Sequence, residues 1–461
     1  MRFEPYKYQR KAVEWVEDHP RCCLFLDMGL GKSVCTLTAF SRLQDWCEVE
    51  RMLVVAPKKV AETTWTDEAG KWDHLRHLRV ARVIGTETQR VKALATESDV
   101  YVIGRDSFVW LVARYDGKLP FDMLVIDELT SFKSPKSRRF KAMKAVSPTF
   151  RRVIGLTGTP APNGLTDLWA QMYCIDLGER LGRFVTRYRE AYFNEHRWNN
   201  IVVRCTPKKG AEEIIRTKIA DICLTMQAKD YIELPRMITH DIRVRLSEKV
   251  MEGYRSFERD RVMEFAEENT GKPMNVIAQS AAGLMNKLSQ YANGAVYDGE
   301  GNTVDLHDEK LERLTELVEQ AGSPVLVFYQ FRHDIPKILE RLKDFRIEEY
   351  EGADQLRRWN NGEIDVLLAH PASTAFGLNM QSGGHYIVWY GTGWNLELYQ
   401  QANARLHRQG QTHPVIVYRL VCKDTVDERA LSAIDGKASM QQSLIEGLKE
   451  LTKLYKTKMN L

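Results

Sequence analysis

Four stretches of this chain are almost entirely aliphatic or β-branched: Arg51-Met-Leu-Val-Val-Ala56, Asp99-Val-Tyr-Val-Ile-Gly104, Met123-Leu-Val-Ile126 and Arg152-Val-Ile-Gly-Leu156. Such runs, each followed by a polar loop and a helical stretch, predict a parallel sheet covered by helices on both faces. Functional loops of such sheets lie at the carboxyl ends of the strands. Pro57-Lys58, Asp127-Glu128 and Thr157-Gly158-Thr159-Pro160 all fall there.

A fifth apolar run, Cys22 to Leu26, leads into Asp27-Met28-Gly29-Leu30-Gly31-Lys32-Ser33, and Lys32-Ser33 open an apolar helix, Val34 to Phe40. Gly29 and Gly31 let the backbone turn tightly and approach a ligand closely. This is the layout of a phosphate-binding loop, with backbone N–H groups and a helix N-terminus aimed at an anion. Lys32 is then placed for the β- and γ-phosphates and the Ser33 hydroxyl for Mg²⁺. Leu26 stands where the strict motif has its first glycine, so an ordinary helix-entry turn is the competing reading. Asp127-Glu128 weighs against it, because packing explains a carboxylate pair at the end of an apolar strand poorly. The pair fits Asp127 holding Mg²⁺ through water and Glu128 orienting the attacking water. Upstream, Ala12, Val13, Trp15 and Val16 mark an amphipathic helix. On it Gln9 is suited to pair with adenine N6 and N7, and Tyr6 to stack on the base. A surface Gln is the bland alternative. ATP and Mg²⁺ are the expected cofactors.

At 461 residues the chain is too long for one core. From Leu177 to Leu234 the strand pattern fades; aromatic residues (Phe184, Tyr188, Tyr192, Phe193, Trp198) alternate with Arg and His, and Ala211 to Ile222 has helical spacing. The aromatics suit either a core or nucleic-acid stacking. After Leu234-Pro235, Thr239 to Leu246 alternates as an edge strand, Ser247 caps a helix Glu248 to Glu268, and a turn at 271–273 precedes a helix Val276 to Ala292. A second α/β series follows from about Asp308, with strands at Pro324–Tyr329, Phe345–Tyr350, Asp365–Ala369, Tyr386–Trp389 and Val415–Val421. It has no phosphate loop. It offers Arg405 and Arg408, at i and i+3 near the end of a helix Glu397 to Leu406. Two cores, one with the loop and one with arginines, predict a cleft in which the second lobe supplies arginine fingers to the γ-phosphate.

Composition narrows the class further. A net charge of +4 neither demands nor excludes nucleic acid. Eight scattered Cys without a C-x-x-C pair read as reduced core thiols of a cytoplasmic protein rather than a disulfide framework or zinc site. No apolar run reaches transmembrane length.

The motifs in this order resemble a superfamily-two helicase of the Swi/Snf translocase branch over nearly the whole chain. They are Tyr8-Gln9, Asp27 to Ser33, Val55-Ala-Pro57 with Trp65 and Glu68, Asp127-Glu128 with Lys133, and Leu156 to Pro160 with Asn163. Val325 to Phe331, Gly377-Leu-Asn379, Trp394-Asn395 and Gln401 to Gln411 complete the set. The resemblance implies two RecA-like parallel-sheet lobes with helical insertions between them, over 1–235 and 236–461. The two helical protrusions would lie at about 177–233 and 247–300. The Lys-rich final helix, Met440 to Lys456, reads as a brace for the lobes or a DNA contact, with a solvated amphipathic helix as the bland alternative. The resemblance implies a DNA-dependent ATPase that tracks on duplex DNA without separating the strands and remodels DNA or protein–DNA complexes. Met28, Gly29, Leu30, Gly31 and, on the second lobe, Gly377 would line the nucleotide, with Arg405 and Arg408 as the arginine pair. Lys58, Arg105, Ser107, Ser373 and Thr374 would contact the DNA backbone. Thr157 and Thr159 would couple hydrolysis to DNA, and Trp394 would link the DNA track to the cleft. One departure is Thr130, where the family usually has His. Without room for appended modules, the chain reads as a minimal monomeric motor of a bacterium or bacteriophage, with no identified protein partner. Alternatives are a strand-separating, branch-migrating or annealing helicase and an ATP-switched DNA-binding regulatory subunit.

Overall fold

The computed structural model describes residues 1–435 apart from 159, 162–163, 199–200, 228–229, 232–233, 269–273 and 375–377. Thr159, Asn163, Gly377 and the expected Met440–Lys456 helix therefore lie outside the described residues. The chain divides into two compact units, Met1–Glu233 and Leu234–Leu461.

The first unit contains β1 (Arg21–Leu26), β2 (Met52–Ala56), β3 (Val80–Val83), β4 (Val100–Gly104), β5 (Met123–Asp127), β6 (Arg152–Thr157), β7 (Phe193–Trp198), β8 (Ile201–Pro207) and β9 (Cys223–Met226). Seven of these form one sheet in the order β3-β4-β2-β5-β6-β1-β9, and every pairing in it is parallel. The aliphatic runs explain this. All residues of β2 and β4 are buried, so both faces of the sheet need helical cover. Each fully buried Val, Leu or Ile contributes about 1.5–3 kcal/mol. Because the sheet is parallel, the loops after β1, β2, β4, β5 and β6 share one edge. Helices α1 (Lys7–Asp18) and α2 (Lys32–Asp45) flank β1 in sequence.

The second unit contains β10 (Met237–Val244), β11 (Ala295–Tyr297), β12 (Thr303–Asp305), β13 (Val325–Phe328), β14 (Ile347–Glu349), β15 (Val366–Ala369), β16 (Tyr386–Trp389) and β17 (Val415–Cys422). Its main sheet runs β10-β17-β16-β13-β15-β14, again parallel throughout. The alternating strand β10 lies at the edge, largely exposed.

Two expectations need correction. The segment after Leu177 is not only helical. It carries the antiparallel pair β7–β8, and β9, which extends the first sheet beside β1. Its aromatics divide: Tyr188 and Phe193 enter the first unit's core, whereas Phe184 is exposed with Arg187 over its ring. Secondly, the helix before the arginine pair ends at Asn403, so Arg405 and Arg408 sit on the turns that follow. Ser247 stands directly before the helix Glu248–Glu268, where its carbonyl accepts the Met251 N–H at 2.8 Å and its hydroxyl donates to Glu309 Oε1 at 2.9 Å. All eight cysteines are free thiols. No described helix is long and apolar enough to cross a membrane.

Candidate nucleotide site

The phosphate loop stands at the carboxyl end of β1, between β6 and β9 in the sheet. Strand β9 helps to shape it, because Asp27 N–H donates to Met226 O at 3.1 Å. Gly29 and Gly31 have φ of 86° and 81°. At Gly31 a Cβ would lie 2.7 Å from Gln9 Nε2, the end of a side chain that can turn aside, so it is the left-handed backbone that requires glycine there. Gly158, after β6, also closes on the loop: a Cβ there would meet Leu26 O at 3.4 Å. Lys32 opens α2, and its Nζ donates to Leu26 O at 2.7 Å and Asp27 O at 3.3 Å. The ammonium thus lies over the loop, at a helix N-terminus that favours anions. Leu30, within the loop, is fully buried.

Gln9 is not a surface residue. It is 6% exposed, its Oε1 accepts the Tyr6 N–H at 3.0 Å, and its amide nitrogen faces Gly31. One half of the expected adenine-pairing amide is therefore engaged by the start of α1. Tyr6 is exposed and stacks on Tyr8 at 5.5 Å.

Asp127 ends β5 and Glu128 follows in the left-handed region at φ 59°. Trp65 Nε1 donates to Asp127 Oδ2 at 2.9 Å. Burial, and next the Glu128 charge, push the Asp127 carboxyl up to about 6, while Trp65 and Lys32 pull the other way. Glu128 Oε1 accepts the hydroxyls of Thr130 at 2.9 Å and of Thr157 at 3.2 Å. Two crowded carboxylates, one of them resisting ionisation, are what a divalent cation stabilises. Among the described residues no group of three or more His, Cys, Asp or Glu is arranged to hold a metal.

The raised Asp127 pKa has a measurable consequence. The folded protein binds this proton more tightly than the unfolded chain. Its contribution to stability is therefore lost as pH rises from the ordinary carboxylate range to about 6. Asp127→Asn should stabilise the metal-free protein by on the order of 2–3 kcal/mol at about pH 8 and by nearly nothing at about pH 4. Denaturant unfolding in EDTA at the two pH values checks this.

The loops expected to contact nucleic acid divide. Lys58 and Arg105–Ser107 follow the neighbouring strands β2 and β4, and Arg105 N–H donates to Ala56 O at 2.7 Å. Lys58 is well exposed beside Glu62. In the second unit, the Ser373 hydroxyl donates to His370 O at 2.7 Å. Thr374 is fully buried and its hydroxyl is turned onto Pro371 O, so its side chain is not at the surface. Trp394 is 8% exposed and packs in the cluster with Tyr254, Leu288, Tyr291 and Val426.

Arg405 and Arg408 converge on one acceptor, Leu378 O, at 3.2 and 2.8 Å. Arg405 also donates from Nε to Gln401 O at 3.0 Å. The adjacent polar residues are partly structural: Gln411 donates to Gln381 O and Gly384 O, and the His407 ring contacts Pro235 O. Missed from the sequence are the bond from Trp65 to Asp127, the bond from Thr130 to Glu128, and β9 under the loop. Trp65 had a signal, standing in the Val55 to Glu68 block, but its partner did not.

A phosphate loop after the first strand of a parallel sheet, a carboxylate pair after another, and a second parallel sheet bearing paired arginines define a helicase-type ATPase. The chain belongs to the SNF2-related family: residues 8–294 match the SNF2-related domain, and residues 309–410 match the helicase conserved C-terminal domain. It is accordingly an ATP-using enzyme, a DNA-dependent ATPase of that family. Protein p41 of Acyrthosiphon pisum secondary endosymbiont phage 1 is 35% identical, over 97% of this chain and 99% of p41. An uncharacterized ATP-dependent helicase of Mycoplasma genitalium is 24% identical over 97% of this chain, which spans 44% of that protein. The Sulfolobus solfataricus SWI2/SNF2 ATPase core is 22% identical, with a TM-score of 0.46, over 99% of this chain and 97% of that one.

Proposed function

We propose that this protein hydrolyses ATP to move along duplex DNA as a monomer and thereby remodels DNA or protein–DNA complexes. The observation that carries the reading is the crowding of function onto one sheet edge. The phosphate loop, Asp127-Glu128, Thr157, Lys58 and Arg105–Ser107 all follow parallel strands of the first unit. Gln9 and Tyr6 hold the base, and Met28 to Gly31 wrap the phosphates with Lys32. Ser33 and Asp127 would hold Mg²⁺, which would supply charge neutralisation for the phosphates. Glu128 orients the attacking water, and Thr157 links that carboxylate to the loop after β6. Arg405 and Arg408 are the guanidiniums assigned to the phosphates, with Gly377 lining the nucleotide. Lys58, Arg105, Ser107, Thr159 and Ser373 touch the DNA backbone, and Trp394 supports that track from within the second unit.

ATPase assays without nucleic acid and with duplex DNA, single strand or RNA test this. Duplex should stimulate most, and the enzyme should displace a triplex-forming strand. Stimulation by RNA alone would overturn the reading. Duplex-stimulated hydrolysis without triplex displacement would favour an ATP-switched regulatory subunit.

A second reading, strand separation, gains from the antiparallel pair β7–β8. The ladder places Trp198 opposite Ile201 and follows an exposed Phe184–Arg187 pair. A forked duplex distinguishes it: unwinding of the fork that is lost on shortening β7–β8 would establish this reading over the first.

A further inference from the structure

Where the family usually has His, this chain has Thr130, and the structure gives that residue a definite partner. Thr130 lies in a single 3₁₀ turn, Leu129–Phe132, that starts directly after Glu128. The turn is fixed by Ser131 N–H donating to Glu128 O at 2.9 Å and Lys133 N–H donating to Thr130 O at 3.2 Å. Leu129 and Phe132 are fully buried and Thr130 is 2% exposed, so its backbone has little freedom. A β-branched side chain on such a backbone is confined to few rotamers. Its hydroxyl is therefore a well-placed donor, 2.9 Å from Glu128 Oε1. The same oxygen accepts the Thr157 hydroxyl at 3.2 Å from the end of β6. Glu128 itself is held at φ 59°, a conformation that costs a non-glycine residue about 1–2 kcal/mol. One carboxylate oxygen is thus bonded by two hydroxyls from two different elements.

We propose that Thr130 is a positioning residue for Glu128. Together with Thr157 it fixes Oε1, which leaves Oε2 as the oxygen turned to the attacking water. This rests on the ATPase reading of the site. In the step concerned, the water oxygen bonds to the γ-phosphorus and the bond from that phosphorus to the β,γ-bridging oxygen breaks. ADP departs with those electrons, and the proton of the water passes to Oε2. A carboxylate free to rotate presents the correct oxygen for a smaller part of the time, and the loss falls on turnover rather than on ATP binding.

The test compares Thr130→Val, Thr130→Ser and Thr130→Ala in the full chain, measuring kcat and KM for ATP with saturating duplex DNA. Thr130→Val keeps the shape and removes the hydroxyl. It should lower kcat by about 10- to 100-fold with KM within about twofold of the starting protein. Thr130→Ser should retain most of the turnover. Serine and alanine both lack the methyl, so a large difference between them reports the hydroxyl even if the valine variant folds poorly. Equal loss in Ser and Ala, or wild-type kcat in both Val and Ala, would overturn the proposal. Absence of ATP turnover in the unsubstituted protein would instead defeat the ATPase reading on which it rests.

Discussion

Lys32→Ala is expected to lower ATP turnover about 10³-fold while leaving duplex DNA affinity within about threefold of the starting protein. The magnitude follows from position. The Lys32 ammonium stands at the N-terminus of α2 and within 3.3 Å of two carbonyls of its own loop. On the proposed reading of the loop, that position is where charge develops on the transferring phosphoryl group, and a preorganised donor of that kind contributes about 10²–10³ in rate. A second effect adds to it. Lys32 is one of the groups that pull the Asp127 carboxyl down, so its loss pushes that group further toward the neutral form and would weaken the Mg²⁺ binding proposed there. Lys32→Arg should not rescue, because a planar fork cannot replace a compact point charge in a loop this tight. Steady-state ATPase assays and DNA titration by fluorescence anisotropy measure the two quantities. Turnover within tenfold of the starting protein would remove the phosphate-loop assignment altogether.

Both sheets are legible in the sequence because their strands are uninterrupted aliphatic runs, a signal that burial on two faces produces and little else does. The motif residues are legible for a related reason: carboxylates or glycines at strand ends have no packing explanation. What is not legible depends on contacts between distant positions. Strand β9 is only Cys223–Met226, too short for its pattern to stand out, and its place is set by pairing with β1. Arg405 and Arg408 carry a helical spacing, yet the helix stops at Asn403 and both guanidiniums turn to Leu378 O. Thr374 looks like a surface hydroxyl but is consumed by its own short helical turn. Gln9 is the converse case, a polar residue drawn into the interior because its amide joins α1 to Gly31. Neither Trp65 nor Thr130 shows by its type or spacing that it bonds the carboxylate pair.

The largest stability effect is expected at a residue that no motif marks. Lys310 lies in the helix Glu309–Ala321 and is 0% exposed. Its Nζ donates to Asp427 Oδ2 at 2.7 Å and to Asn293 Oδ1 at 2.8 Å, and lies 5.8 Å from the centre of the Tyr390 ring. Burial works against its charge, but Asp427 foremost among its partners outweighs that and holds the ammonium above its ordinary range. The network continues from Asn293 Nδ2 to Asp334 Oδ2 at 3.1 Å, and that oxygen accepts the Gln330 and Phe331 N–H groups after β13. One buried cation thus joins two helices and the loop at the carboxyl end of a central strand. Lys310→Met removes it and leaves Asp427 buried, with the Cys422 N–H at 3.0 Å as its remaining backbone donor on Oδ2. Breaking a buried pair from one side costs about 3–5 kcal/mol. Lys310→Met should therefore destabilise the second unit by that amount. The double replacement Lys310→Met, Asp427→Leu should recover most of it, because no charge is then left uncompensated. Denaturant unfolding of the two variants, with hydrogen exchange at β13 and β17 to assign the transition, measures both. A loss below about 1 kcal/mol for Lys310→Met, or a double variant worse than the single one, would show that the ion pair does not hold this core together.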